Sequence, residues 1–431
     1  MRLPHSTGLA ASLPKTIGSC LATSPPLPYN WHDKLRGLIL GICLSRSLVL
    51  QSIAQTRPGR VKTAENQLSE FLGQQRLDLV GPQRSCVLSA LKGLGKRRFL
   101  KRHGKAVIII DSTAHAKARS RRKVRPMPGK GKVRLHNLPT KEMILVAGYQ
   151  EVWIGILMAD RTVLPLTRRL WTENGPDCAS MNLVELAEIR KAREIVQEAL
   201  KLDVILVADR GFRSKDLLHW LKKVEGMDFV IRLEGKLTIK VGESKGLLEQ
   251  MAPWWPKRMR IQWRDGTKNV LLSDVSARRV SVVTGSKEGL SFNTVCLTPA
   301  EEKVDPMFLA TTLTTETVAD LTTIVRLYSW RWGIETFFWM FKQGLKGGSW
   351  RVFSCWEAID RLLTAAHMAY LVLALLAEFC RRGRTEKARL LMRQLEALLR
   401  WRFARPPELT LGRIFQLIAM DFPSPRIQGA L

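Results

Sequence analysis

The chain has 431 residues, 69 Lys and Arg against 38 Asp and Glu, and a formal charge of +31 with a pI near 10.4. Such an excess suits a polyanion partner, with nucleic acid first among them, and the length allows two or three structural units. Seven cysteines, odd in number and without a CxxC pair, argue against a zinc cluster or disulfide framework and for a reducing cytoplasm. No apolar run reaches the ~20 residues of a membrane span, the longest being 368–379, and no signal-peptide core follows Arg2.

In chain order, residues 1–30 are rich in Pro, Ser and Thr and read as loosely ordered. Helical patterning covers 32–55 and 62–80, with Thr63 as a candidate cap, so a helical region extends to about 102. The style then changes. "AVIIID" (106–111) is an apolar run suited to a doubly buried strand, and 142–149 and 151–158 read as two more strands joined by a short turn. A helix over 183–201, a strand over 202–212 and a helix over 214–224 capped by Ser214 complete a βββαβα order. Residues 228–313 carry mostly β-like runs. One helix is expected over 315–345, a long apolar one over 357–380 and a basic one over 385–402.

Two carboxylates end buried strands: Asp111 in "IIIDST" and Asp209 in "LVADRGF". A charge in that position is costly unless a cation, an arginine or a helix N-terminus compensates it. A third, Glu335, lies in "YSWRWGIETFFWMFKQGL" (328–345). At about 100° per residue, Tyr328, Arg331, Glu335 and Lys342 share one stripe beside an apolar face. Periodicity alone also fits an ordinary amphipathic helix with an Arg331–Glu335 pair. Three carboxylates without Cys or His beside them suit Mg²⁺, with Mn²⁺ as a substitute, rather than zinc. The loop 117–134, with Arg121, Arg122, Lys123, Lys130 and Lys132, reads either as a solvated charge run or as a phosphate-contacting loop.

"DST", "ADRGF" and Y-x2-R-x3-E-x6-K on a late helix together resemble the DDE transposases of bacterial insertion sequences, in the group marked by the YREK signature. The resemblance covers about 106–345. It implies an α/β fold with a ribonuclease-H-like core (103–227 and the last core helix, 314–350) and a β-rich insertion (228–313), to which the helical patterning adds an N-terminal region (1–102), a candidate for DNA-end binding, and a C-terminal region (351–431). It implies Asp111, Asp209 and Glu335 as catalytic metal ligands, and Tyr328, Arg331 and Lys342 as contacts to transposon-end DNA. "KVRLHN" (132–137) resembles the basic approach to the family's second strand, with His136 equally readable as structural. Some relatives stack a flipped base on a tryptophan of the insertion, where this chain has Trp254, Trp255 and Trp263; a core role is the commoner one for such residues.

The expected activity is cleavage at element ends and joining of 3′-OH ends to target DNA. The expected setting is a homodimer on DNA, cytoplasmic and nucleoid-associated, with no membrane. The alternatives are a metal-dependent nuclease of the same fold without strand transfer, and an inactive DNA-binding regulator whose acidic residues are structural.

Overall fold

A computed structural model describes residues 12–25, 27–116, 131–136, 143–172, 180–212, 214–265, 269–282, 290–301, 304–345 and 356–382. Residues 117–130, most of the segment read as a basic loop, the basic helix expected over 385–402 and residues 346–355 lie outside the described residues.

The N-terminal region is more helical than its composition suggests. Helix α1 (Leu13–Leu21) falls inside the stretch read as loosely ordered. Pro14 sits in its first turn, where a missing N–H costs nothing, and Leu13, Ile17, Cys20 and Leu21 bury one face. The helix expected over 32–55 is broken into α2 (Tyr29–Ser45) and α3 (Leu50–Ala54). Arg46 adopts a left-handed φ of 50° and closes α2 through its N–H to the Ile42 carbonyl. The helix expected over 62–80 is likewise two: α4 (Val61–Gly73) and α5 (Val80–Leu94). Thr63 lies inside α4, whose N-cap is Arg60, because Pro58 and Gly59 turn the chain earlier than expected.

The sheet begins with β1 (Lys101–Arg102) and β2 (Lys105–Ala116). Val107 to Ile110 are fully buried, each worth about 1.5–3 kcal/mol, as an uninterrupted apolar run requires. Strand β3 (Gly131–His136) occupies the end of what was read as loop. Residues 142–158 form one strand, β4 (Met143–Leu157), instead of two; β5 (Val163–Trp171) follows and was not anticipated. Next come α6 (Met181–Leu200) and β6 (Val204–Ala208). Helix α7 (Lys215–His219) is capped by the Ser214 hydroxyl accepting from Leu217 N, and a π-helical turn, Trp220–Val224, extends it.

Strands β7 (Asp228–Leu233), β8 (Thr238–Val241) and β9 (Ser244–Leu247) are followed by helix α8 (Leu248–Met251). Then come β10 (Lys257–Asp265), β11 (Asn269–Val282), β12 (Leu290–Pro299) and β13 (Met307–Thr311). One sheet runs through all of it, in the order β3-β4-β2-β6-β7-β13-β12-β11-β8-β9, with β5 on β4, β1 on β2 and β10 on β11. Strands β2, β4 and β5 pair antiparallel, whereas β6 pairs parallel with β2 and with β7.

The single helix expected over 315–345 is three pieces. Helix α9 (Val318–Trp330) opens on a capping box between Thr317 and Asp320. The chain breaks at Arg331 and Trp332, resumes as α10 (Gly333–Trp339) and loosens into a π-helical turn, Met340–Gly344. Gly333 permits the break. A Cβ there would lie 2.6 Å from the Arg161 carbonyl oxygen and 3.0 Å from Val163 Cγ2, in the β4–β5 turn. Helix α11 (Trp356–Arg382) closes the described chain. Its span Trp356–Phe379 is long and apolar enough to cross a membrane, which the sequence reading did not anticipate, but 89% of the qualifying window is buried inside the protein. Helices α1, α2, α4 and α5 surround it, and it rests on β5.

Candidate active site

The site is built from two strand ends and the broken helix. Ile110 pairs with Ala208 across the parallel β2–β6 ladder, so Asp111 and Asp209 follow at the same end of neighbouring strands. Arg331, at the helix break, inserts between them. One guanidinium nitrogen lies 3.1 Å from Asp111 Oδ2 and another 3.5 Å from Asp209 Oδ2. The Tyr328 hydroxyl donates to Asp209 Oδ1 at 2.9 Å, and Arg210 N donates to the same oxygen at 2.8 Å. Arg331 is only 4% exposed, and its guanidinium carbon lies 5.7 Å from the ring centroids of both Tyr328 and Trp332.

Glu335 stands differently. Its side chain is half-buried and makes no ion pair among the described residues, so the pairing with Arg331 that plain helix periodicity offers does not form. Its charge nevertheless reaches Asp111, Arg331 and Lys342. Burial pushes the Asp111 carboxyl up to about 7; Arg331 opposes this, while Glu335 and Asp209 add to it. Asp209 moves the other way, because Arg331, Arg210 N–H and the Tyr328 hydroxyl outweigh its desolvation and hold it below the ordinary carboxylate range. One guanidinium thus bridges two carboxylates and feels the charge of a third.

Asp111 and Asp209 thus share Arg331, and Glu335 lies within electrostatic reach of Asp111, but among the described residues no three His, Cys, Asp or Glu side chains are gathered closely enough to hold a metal as they stand. By donor chemistry the set fits a hard divalent cation, being all oxygen and short of positive charge. Arg331 Nε is buried and finds no hydrogen-bond partner among the described residues, so the guanidinium is incompletely satisfied by them.

Residues 111, 113 and 115 share one face of β2, and their β4 partners Trp153, Glu151 and Tyr149 continue it. Trp153 meets Phe337 and Phe341 near edge-on at 5.0 and 5.2 Å, and His367 of α11 at 5.2 Å. Lys342 donates to Thr113 Oγ1 at 2.5 Å. Glu151, 0% exposed, pairs with His115 Nε2 at 2.8 Å and accepts from Arg168 Nε at 2.5 Å. Arg168 also donates to Asp360 Oδ1 at 2.9 Å and Thr364 Oγ1 at 2.8 Å, both on α11.

Sequence reasoning missed this buried network. Its signal was present: Glu151 and Arg168 are opposite charges inside otherwise apolar strands. Burial alone would raise the Glu151 carboxyl, but Arg168 and His115 outweigh it and hold it at about 2, below its ordinary 4.5. A carboxylate with a depressed folded-state pKa stabilises fully above 4.5 and loses that contribution as pH falls towards about 2. Acid denaturation is expected to steepen within this window for the wild type and to flatten in Glu151→Gln, as measured by circular dichroism against pH.

Of the other anticipated residues, Arg121, Arg122, Lys123 and Lys130 lie outside the described residues, and Lys132 is placed only by its backbone, opposite Ala147 on β4. His136 is likewise placed by backbone alone. In the insertion, Trp255 and Trp263 are buried, Trp263 donating to Ser273 Oγ, while Trp254 is 87% exposed.

A comparison with curated proteins returned no match. The model of the family described as Transposase DDE domain matches residues 102–372, a span that begins at the first strand, holds Asp111, Asp209, Glu335 and the whole of the broken helix, and ends inside α11. Because that match covers more than half of the chain, the protein belongs to the transposase DDE domain family.

Proposed function

We propose that the protein is a DDE transposase that cuts DNA at the ends of an insertion sequence and joins the freed 3′-OH ends to target DNA. The family gives transposase function and an enzyme acting on DNA. The observation that carries the finer reading is the meeting of Asp111 and Asp209 on one buried arginine, with the charge of Glu335 in reach. The succession β5-β4-β2-β6-β7, three antiparallel strands and then two added in parallel, supports a ribonuclease-H-like core. Complete Tyr328, Arg331, Glu335 and Lys342 support membership of the YREK group.

In this reading Asp111, Asp209 and Glu335 hold Mg²⁺, or Mn²⁺ in its place. The bound cations supply charge stabilisation at the attacking and leaving oxygens of an in-line displacement. The chain's own residues do the holding. Lys342 presents an ammonium beside the strand end for a DNA phosphate, and Tyr328 and Arg331, which here hold the aspartates, would contact phosphate in the DNA complex. The working form is a homodimer on DNA, cytoplasmic and nucleoid-associated. The basic segment 117–134 contacts backbone phosphates. Neutralising Arg121, Arg122, Lys123, Lys130 and Lys132 together is expected to weaken binding to all duplexes and to lower the salt slope by about one unit per lost contact. An unchanged slope would return that segment to a solvated charge run.

The deciding experiment incubates purified protein with labelled duplex from the DNA flanking this gene, with Mg²⁺ or with chelator. Metal-dependent nicks plus joined products are expected. Nicks without joining would make it a nuclease of this fold, and binding without nicks a regulator.

A further inference from the structure

Lys342 sits on the π-helical turn that follows α10, and its Nζ donates to the hydroxyl of Thr113. Thr113 lies two residues beyond Asp111 on the same face of β2, and its direct cross-strand neighbour is Glu151. The lysine is thus seated on a hydroxyl with a buried carboxylate beside it. Burial lowers the Lys342 pKa, and Glu151, ahead of Glu335 and Asp111, is the first charge that opposes this. Glu151 cannot swing away. Its two oxygens are taken by His115 and Arg168, and Arg168 is fastened in turn to Asp360 and Thr364 of α11.

A free lysine carries a flexible four-carbon stem whose ordering on binding costs up to about 2 kcal/mol of rotamer entropy. A lysine already held by a hydroxyl and a fixed neighbouring charge meets its ligand without that cost. We propose that Thr113 and Glu151 are positioning residues for DNA-end binding: they seat the Lys342 ammonium beside Asp111, and the network to α11 holds the seat rigid. The inference rests on the reading of Lys342 as a phosphate contact.

The test is a double-mutant cycle read by fluorescence anisotropy, using a labelled duplex from the DNA flanking this gene. Lys342→Met is expected to weaken binding about tenfold, as loss of a hydrogen bond to a charged group does, and to lower the salt slope by about one. Thr113→Val keeps the shape and replaces the hydroxyl, with the acceptor that Lys342 uses, by a methyl. It and Glu151→Gln should each weaken binding several-fold in the wild-type background and cost nothing further beside Lys342→Met.

A folded Thr113→Val protein that binds as wild type would overturn the proposal. So would a Thr113→Val penalty that persists in full beside Lys342→Met. In that second case Lys342→Met still weakens binding, so the phosphate reading stands and only the seat fails. Wild-type binding by Lys342→Met would sink the phosphate reading and the seat with it. Glu151→Gln strands Arg168 in the interior; where that variant does not fold, the Thr113→Val cycle decides alone.

Discussion

Glu335→Gln is expected to leave a folded, DNA-binding protein whose Mg²⁺-dependent cleavage and joining fall about a thousandfold. That figure corresponds to the several kcal/mol of charge stabilisation a catalytic cation contributes. The stability side follows from the geometry. Glu335 is half-buried and makes no ion pair among the described residues, so an isosteric amide strands no partner. A carboxylate that merely decorated a surface helix would cost about 0.3–0.5 kcal/mol of stability on removal and no activity. The comparison needs strand-cleavage and joining assays on a labelled end, with a gel shift and a melting curve on the same preparations. Near-wild-type cleavage by the Gln variant would remove Glu335 from the metal site, and with it the basis for reading the three carboxylates as a catalytic set.

Arg331→Met should produce the opposite profile, with a large loss of stability in metal-free protein. Removing the guanidinium leaves Asp111 and Asp209 on adjacent strand ends without their shared cation, and breaking a buried pair in this way costs about 3–5 kcal/mol. Asp111, already pushed up to about 7, can take a proton near neutrality and thereby limit the loss. Methionine keeps much of the apolar volume between the Tyr328 and Trp332 rings, so the loss reports charge more than packing. Urea unfolding in chelator measures it. Adding Mg²⁺ should recover more stability in the variant than in wild type, because the cation then takes over the role of the missing arginine. Equal stability of the two proteins in chelator would mean that the aspartates need no counter-charge.

Asp111 and Asp209 were legible in the sequence because uninterrupted apolar runs announce doubly buried strands, and a carboxylate closing such a run stands out. Glu335 was singled out by its place in the Y-x2-R-x3-E-x6-K pattern, its spacing alone fitting an ordinary amphipathic helix equally well. The burial of Arg331 was not, because a uniform 100° count assumes an unbroken helix, whereas Gly333 lets the chain break against the β4–β5 turn. The long β4 was split in two because "GYQE" (148–151) has the composition of a turn. Its polar members stay inside the sheet because Glu151 finds His115 and Arg168 there, partners that lie 36 and 17 residues away. Helix α1 was hidden by its Pro and Ser content, since composition does not reveal that Pro14 falls in the first turn, where a helix tolerates it. Sites built from strand ends could be read locally; those that depend on long-range partners could not.

Helix α11 has a consequence for how the protein is made. Its backbone oxygens at Met368 and Ala369 accept from Cys86 and Cys43 of the N-terminal helices, contacts spanning 282 and 326 residues of sequence. Arg361 reaches back to the Leu72 carbonyl oxygen in the same way. The N-terminal helices described here therefore wait during synthesis for α11, the last described helix, before their apolar faces are covered. At synthesis rates of roughly 5–20 residues per second, that delay is tens of seconds. During it the nascent N-terminal segment exposes apolar surface of the kind chaperones bind, and a message truncated before α11 is expected to yield a chain with that surface exposed instead of a smaller working protein.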